Sequence, residues 1–234
     1  MNKYLKSTQL LDFEHQQFSN LIKEREWDKL TTYERIGAVY HFVQNEIQFG
    51  YNEADDLLAS TVLNDGYGQC NTKGTLLMAL LRKMGIPCRF HGFTIDKRLQ
   101  KGAIAGLAYY LAPSSIIHSW VEVYYKDQWL NLEGFILDEE YLSRIQKKFE
   151  TQEGAFCGYA IATNDLQSPA VSWKGGDTYI QKEGINKDFG IYDSPDDFYS
   201  KHGANLSGLK KLLFKHVVRK WMNLNISRLR SGEI

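Results

Sequence analysis

Apolar positions first recur at helical spacing in residues 31–47, TTYERIGAVYHFVQNEI. Ile36, Val39, Tyr40, Val43 and Ile47 share one face, and Thr31 or Thr32 supplies the side-chain oxygen that starts the helix. Phe49-Gly50-Tyr51-Asn52 breaks the pattern. A second helix is predicted after Gly66-Tyr67-Gly68-Gln69-Cys70, where two glycines make a tight turn and Asn71 or Thr72 can cap. Its buried stripe is Leu76, Leu77, Leu80, Leu81 and Met84, and Gly85 followed by Pro87 stops it. Cys70 therefore falls at, or one step before, the first turn of a buried helix.

Strand-like runs follow at 87–95, 116–125 and 128–137, the last two joined by Lys126-Asp127 as a two-residue hairpin turn. Residues 101–113 read as a short helix or lid, and the wider segment 97–116 is where a specificity-setting lid is expected. Residues 139–150 look helical and 151–205 loop-rich. Residues 209–224 form a basic amphipathic helix with Leu209, Leu212, Leu213, Val217, Trp221 and Leu224 on one side. The expected division is a core at 1–150 with an extension at 151–234 packed on it. Contact of the basic helix with a partner or an anionic membrane surface is the alternative to packing.

Composition narrows the function classes. Net charge is zero, which gives no global reason to expect nucleic acid or acidic substrates. The charge is uneven: residues 206–234 carry seven basic side chains and one acidic, leaving 21 basic and 27 acidic elsewhere. The N-terminal segment lacks a signal-peptide core, and the longest aliphatic run, Leu76 to Leu81, is too short to span a bilayer. Three cysteines without paired spacing do not make a disulfide framework or a metal site, so a cytoplasmic setting and no metal are expected. No phosphate-binding glycine motif occurs, and no cofactor is expected.

The candidate chemistry centres on Cys70. A helix N-terminus lowers a thiol's pKa through aligned peptide dipoles, and its free N–H groups can hold an oxyanion. A small buried apolar residue is the competing role. A nucleophilic cysteine needs a base, and the base an orienting group. Alternation puts His118, Trp120, Glu122 and Tyr124 on one strand face. With a two-residue turn, Trp120 lies opposite Glu133 and His118 opposite Phe135. Glu133 is then the diagonal neighbour of His118, at roughly 7–8 Å between backbones, which the two side chains can close. A three-residue turn would put Glu133 on the other face. Singly, a half-buried strand histidine and a solvent-facing glutamate are the ordinary readings; the three together make the case. His91 reads as a satisfied strand residue, and Asp55 and Asp56 as N-caps of a short helix.

The ordered blocks GQCNTKGTLLMALLRKMGIPCRF, HSWVEVYY and WLNLEGF resemble the transglutaminase-like superfamily over roughly residues 35–140. The resemblance implies an α+β, papain/transglutaminase-like core, with a nucleophile-bearing helix packed on an antiparallel β-sheet. It makes Cys70 the nucleophile and His118 the general base, and Glu133 falls where the family usually has Asp. One methylene longer, Glu133 implies a more distant backbone or a weaker third role, with Asn131 in reserve. Tyr51 lies where relatives place an aromatic near the oxyanion site, and Gln69 adjoins the nucleophile. The implied activity is cysteine-dependent acyl transfer, with hydrolysis of a peptide or small amide preferred. The alternatives are a non-catalytic binding or scaffold module, and an amine acyltransferase fed by a thioester.

Overall fold

The structure is a computed structural model that describes residues 1–104, 109, 113–205 and 212–233. Helix α1 (Gln16–Glu24) precedes α2 (Thr32–His41). The start of α2 is fixed by a reciprocal cap: Glu34 accepts from the Thr31 backbone N–H at 2.9 Å, and the Thr31 hydroxyl accepts from Glu34 N. The predicted helical run continues past α2 as one wide turn over Phe42–Glu46 and ends at Ile47.

Two short parallel strands, β1 (Gln48–Phe49) and β2 (Tyr67–Gly68), flank α3 (Ala59–Asp65). Their pairing clamps the turn that carries Tyr51 beside the turn that carries Gln69 and Cys70. Gly68 is required there, because a Cβ would sit 2.7 Å from the Thr72 hydroxyl and 2.9 Å from Lys73 Cγ. Next comes α4 (Cys70–Lys83), the central helix of the molecule. The sequence predicts one buried stripe, whereas every residue from Asn71 to Arg82 is buried. α4 packs on the sheet and is also covered by α2 and α3, so its polar positions are enclosed as well.

Strands β3 (Cys88–Asp96), β4 (Ser115–Tyr125) and β5 (Gln128–Leu132) form three members of a four-stranded antiparallel sheet, in the spatial order β5-β4-β3. Lys126 and Asp127 are a two-residue turn, both at positive φ (48° and 61°), matching the right-handed twist of the hairpin. The register follows that turn: Tyr125 pairs with Gln128 and Val121 with Leu132. The predicted strand to residue 137 stops early. After Leu132 the neighbouring backbone of Thr178 bridges the edge, and Gly134–Ile136 coil into a 3₁₀ turn.

Helix α5 (Glu139–Lys148) follows, capped by Asp138, and then the small hairpin β6 (Phe156–Gly158) and β7 (Ile161–Thr163). The run 151–205 is richer in regular structure than its loop-like composition suggests. It contains β8 (Ile185–Tyr192), which completes the sheet beside β3, and α6 (Pro195–His202). β8 is an edge strand exposed or half-exposed along its length, so it carries no hydrophobic alternation to read. The mixed α+β architecture, with its antiparallel sheet, is the one expected.

The C-terminal helix enters as a wide turn at Phe214–Val218 and continues as α7 (Arg219–Ser231). The sequence assigns packing to the side bearing Leu212, Leu213, Val217, Trp221 and Leu224, but these five are the exposed ones. Met222, Ile226 and Leu229 are buried instead, with Phe214 and Val218 half-buried against the core. Polar anchors invisible to hydrophobic periodicity fix this orientation. Asn223 Oδ1 accepts from Tyr51 N at 2.8 Å, Asn225 donates to the Gly102 and Ala103 carbonyls at 2.9 Å, and Arg230 pairs with Asp138 at 2.6 Å. The predicted lid at 97–116 and the start of the basic helix lie partly outside the described residues. The described part of the former includes a 3₁₀ turn at Lys97–Gln100.

Candidate active site

Cys70 is the first residue of α4, half-buried, at the positive end of the helix dipole. It opens onto a cavity of about 350 Å³ whose polar lining includes Tyr51, Gln69, Gln100 and Gln181 with Glu53, Asp55, Asn71 and Asn205, the rest being mainly apolar. His118, on β4, is fully buried, and its Nε2 donates to Glu133 Oε1 at 2.7 Å. Glu133 stands one residue past the last paired position of β5, and its longer side chain reaches the imidazole at full hydrogen-bonding distance.

Glu133 is also fully buried, so its second oxygen needs donors. Three successive backbone N–H groups supply them: Ile180, Gln181 and Lys182 donate to Oε2 at 2.8, 3.0 and 3.1 Å. The carboxylate is thus held from both sides, in the arrangement that fixes an imidazole's orientation. With Nε2 committed to Glu133, the other ring nitrogen of His118, Nδ1, is buried and has no hydrogen-bond partner within the protein.

The electrostatics couple the two. Burial by itself pulls the His118 pKa down. The charge of the neighbouring Cys70, followed by the hydrogen bond and charge of Glu133, outweighs it and pushes the pKa up to about 9. The imidazole is therefore protonated near neutral pH when the sulfur beside it is anionic. Tyr51 is buried with its hydroxyl donating to Gln100 Oε1. Burial, and then the charge of Cys70, raise its pKa far above the ordinary phenol value, so it remains an O–H donor near the sulfur.

Gln69 also borders the cavity, but both ends of its amide are engaged. Its oxygen accepts from Asn52 N at 2.8 Å, and its nitrogen donates to Ala54 O and Asp55 Oδ1 at 3.4 Å each. Asn131 is not brought to this group. Its amide donates to Asp177 Oδ2 at 3.3 Å and to the Tyr179 hydroxyl at 2.8 Å, away from His118.

Several residues of the site escaped sequence reading. Asn71 is bonded to both neighbours of His118: its amide donates to Ile117 O at 3.1 Å, and its oxygen accepts from the Ser119 hydroxyl at 2.9 Å. Asp55 is not a cap, since α3 begins after Leu58. Its buried carboxylate accepts from Asn71 at 3.1 Å and from the Asn205 amide at 2.9 Å, while Asn205 Oδ1 accepts from Ile117 N at 2.7 Å. The backbone beside Cys70 and the backbone beside His118 are therefore tied through Asp55. Lys73 is fully buried, donating to Gln44 O at 3.1 Å and Ile136 O at 3.0 Å, and burial lowers its pKa to about 7. It anchors the turn that follows Glu133. No local pattern announces Asn205 or the 180–182 amides; only the polar run Gln69-Cys70-Asn71-Thr72 hints at a network. On β3, both ring nitrogens of His91 are engaged, with Glu122 at 2.7 Å and Asp188 at 2.9 Å.

Residues 21–134 match the family model of the transglutaminase-like superfamily. No curated protein matches the chain. Among solved structures, one from Cytophaga hutchinsonii, described as a "putative cysteine protease", is similar at 13% identity with a TM-score of 0.48, over 83% of this chain. The match spans 47% of that longer protein.

Proposed function

With residues 21–134 matching the model of the transglutaminase-like superfamily, we propose that this protein performs cysteine-dependent acyl transfer, with hydrolysis of an amide or peptide bond as the reaction. The observation that carries the reading is the buried His118–Glu133 pair at 2.7 Å, coupled electrostatically to a cysteine that opens a helix onto a cavity. Nothing in packing alone calls for two buried ionisable groups and a charge-coupled thiol in one place.

In this mechanism the Cys70 sulfur, as a thiolate beside the His118 imidazolium, attacks the carbonyl carbon. The oxyanion is met by the N–H groups at the start of α4. His118 gives its proton to the leaving amine through Nδ1, while Glu133 holds Nε2 and the ring plane. Water, deprotonated by the now neutral imidazole, then attacks the thioester and releases the acid. Phe49, Ile95, Ile104, Ile116, Phe214 and Met222 give the cavity a largely apolar wall, which suits a substrate with an apolar group next to the scissile carbonyl. The three free thiols suit a reducing compartment.

The test is the rate of Cys70 alkylation by iodoacetamide from pH 4 to 9, with His118→Ala and Glu133→Gln in parallel. Fast labelling at acidic pH that is slowed by both substitutions supports the triad and justifies a screen of amide substrates. Labelling that rises like that of a simple thiol and ignores both substitutions refutes it and leaves a binding module.

A further inference from the structure

The C-terminal helix has two apolar sides. The inward one, Phe214, Val218 and Met222, forms a wall of the cavity. The outward one, Leu213, Val217, Trp221 and Leu224, recurs at spacings of four, four and three and lies open to solvent. Val217 is 58% exposed, Leu224 50% and Trp221 41%. Solvent exposure of four large apolar side chains in one helical stripe is unfavourable unless something covers them.

The charge on this helix indicates what does. Segment 206–234 has seven basic residues against Glu233 alone; Lys215 is paired with Glu53 and Arg230 with Asp138, and it is Lys220 and Arg228 that stand exposed by the stripe. Apolar side chains flanked by lysine and arginine, with a tryptophan among them, match an anionic lipid interface, where the stems lie along the acyl boundary and the cations meet headgroups. Among the described residues, no helix is long and apolar enough to cross a membrane, so this element would lie in the interface rather than span it.

We propose that the outward face of the C-terminal helix docks on an anionic lipid surface. Leu213 belongs both to this face and to the cavity wall, so docking sets the lipid beside the cavity mouth. The proposal does not depend on catalysis and would hold for a binding module.

The experiment is flotation of the full chain with vesicles of phosphatidylcholine alone, and with phosphatidylcholine containing about a third phosphatidylserine. Wild-type protein is expected to float with the anionic vesicles and much less with the neutral ones. Val217→Glu combined with Leu224→Glu, neither lining the cavity, is expected to weaken binding by about tenfold or more. Its melting temperature should be unchanged, because both positions are exposed already. No flotation of the wild type overturns the proposal, as does equal flotation on neutral vesicles or a double variant that binds like wild type. Light scattering that shows a wild-type dimer, monomeric in the double variant, with no lipid binding, also overturns it and assigns the face to a second copy.

Discussion

The His118 imidazole is the most direct probe of the site, because its protonation depends on both proposed partners. A pKa of about 9 against an ordinary 6.5 corresponds to roughly 3 kcal/mol in favour of the charged ring, in spite of burial. Of the influences that raise it, the charge of Cys70 ranks first and Glu133 follows. Cys70→Ala should therefore lower the pKa most. Burial, which disfavours the imidazolium, should then carry it toward or below 6.5 unless Glu133 alone holds it. Glu133→Gln keeps the shape but lets an amide N–H face Nε2, which favours the neutral ring, so it too should lower the value, by less. The measurement is a titration of the ring nitrogens by long-range ¹H–¹⁵N NMR from pH 5 to 10, with the His118 signals assigned by their absence in His118→Gln. A midpoint near 9 that persists in Cys70→Ala would refute the coupling between sulfur and imidazole, and with it the proposed pair.

The same group predicts how stability depends on pH. Its folded pKa lies above its unfolded one, so its contribution is complete below about pH 6.5 and is lost as pH rises through about 9. Lys73 acts oppositely: its folded pKa of about 7 lies below the ordinary 10.5, so its burial penalty is full below pH 7 and is relieved toward pH 10.5. Urea unfolding of Lys73→Met should uncover a decline from pH 6.5 to 9 that the wild type masks, and His118→Gln should show no such decline; a decline in His118→Gln as steep as that of Lys73→Met would contradict this. Asp55→Ala leaves the Asn71 and Asn205 amides without their shared acceptor and should cost about 2–3 kcal/mol in urea unfolding. It should also slow Cys70 alkylation by about tenfold, whereas a rate within twofold of wild type would show that Asp55 serves folding alone.

The parts of the site legible in the sequence are those set by local geometry. Two glycines before Cys70 and a leucine-rich run after it specify a turn feeding a buried helix. Lys126-Asp127 between alternating strands specifies a hairpin register, and that register leads the chain to Glu133 on the side of His118. Each depends on residues close in sequence, where period and turn chemistry carry the information. What tertiary structure decided is what Glu133, Asn71 and Asn131 are bonded to. The three amides at 180–182 hold Glu133 from 47–49 residues away, and Asn205 reaches Asp55 across 150 residues; neither leaves a local pattern. Hydrophobic periodicity showed that the C-terminal helix is amphipathic but could not say which of its two apolar stripes faces in. Asn223, Asn225 and Arg230 made that choice by bonding distant backbone and a buried aspartate. Burial of apolar surface is nearly indifferent to such a rotation, whereas hydrogen bonds are directional, and so the polar contacts fixed the orientation.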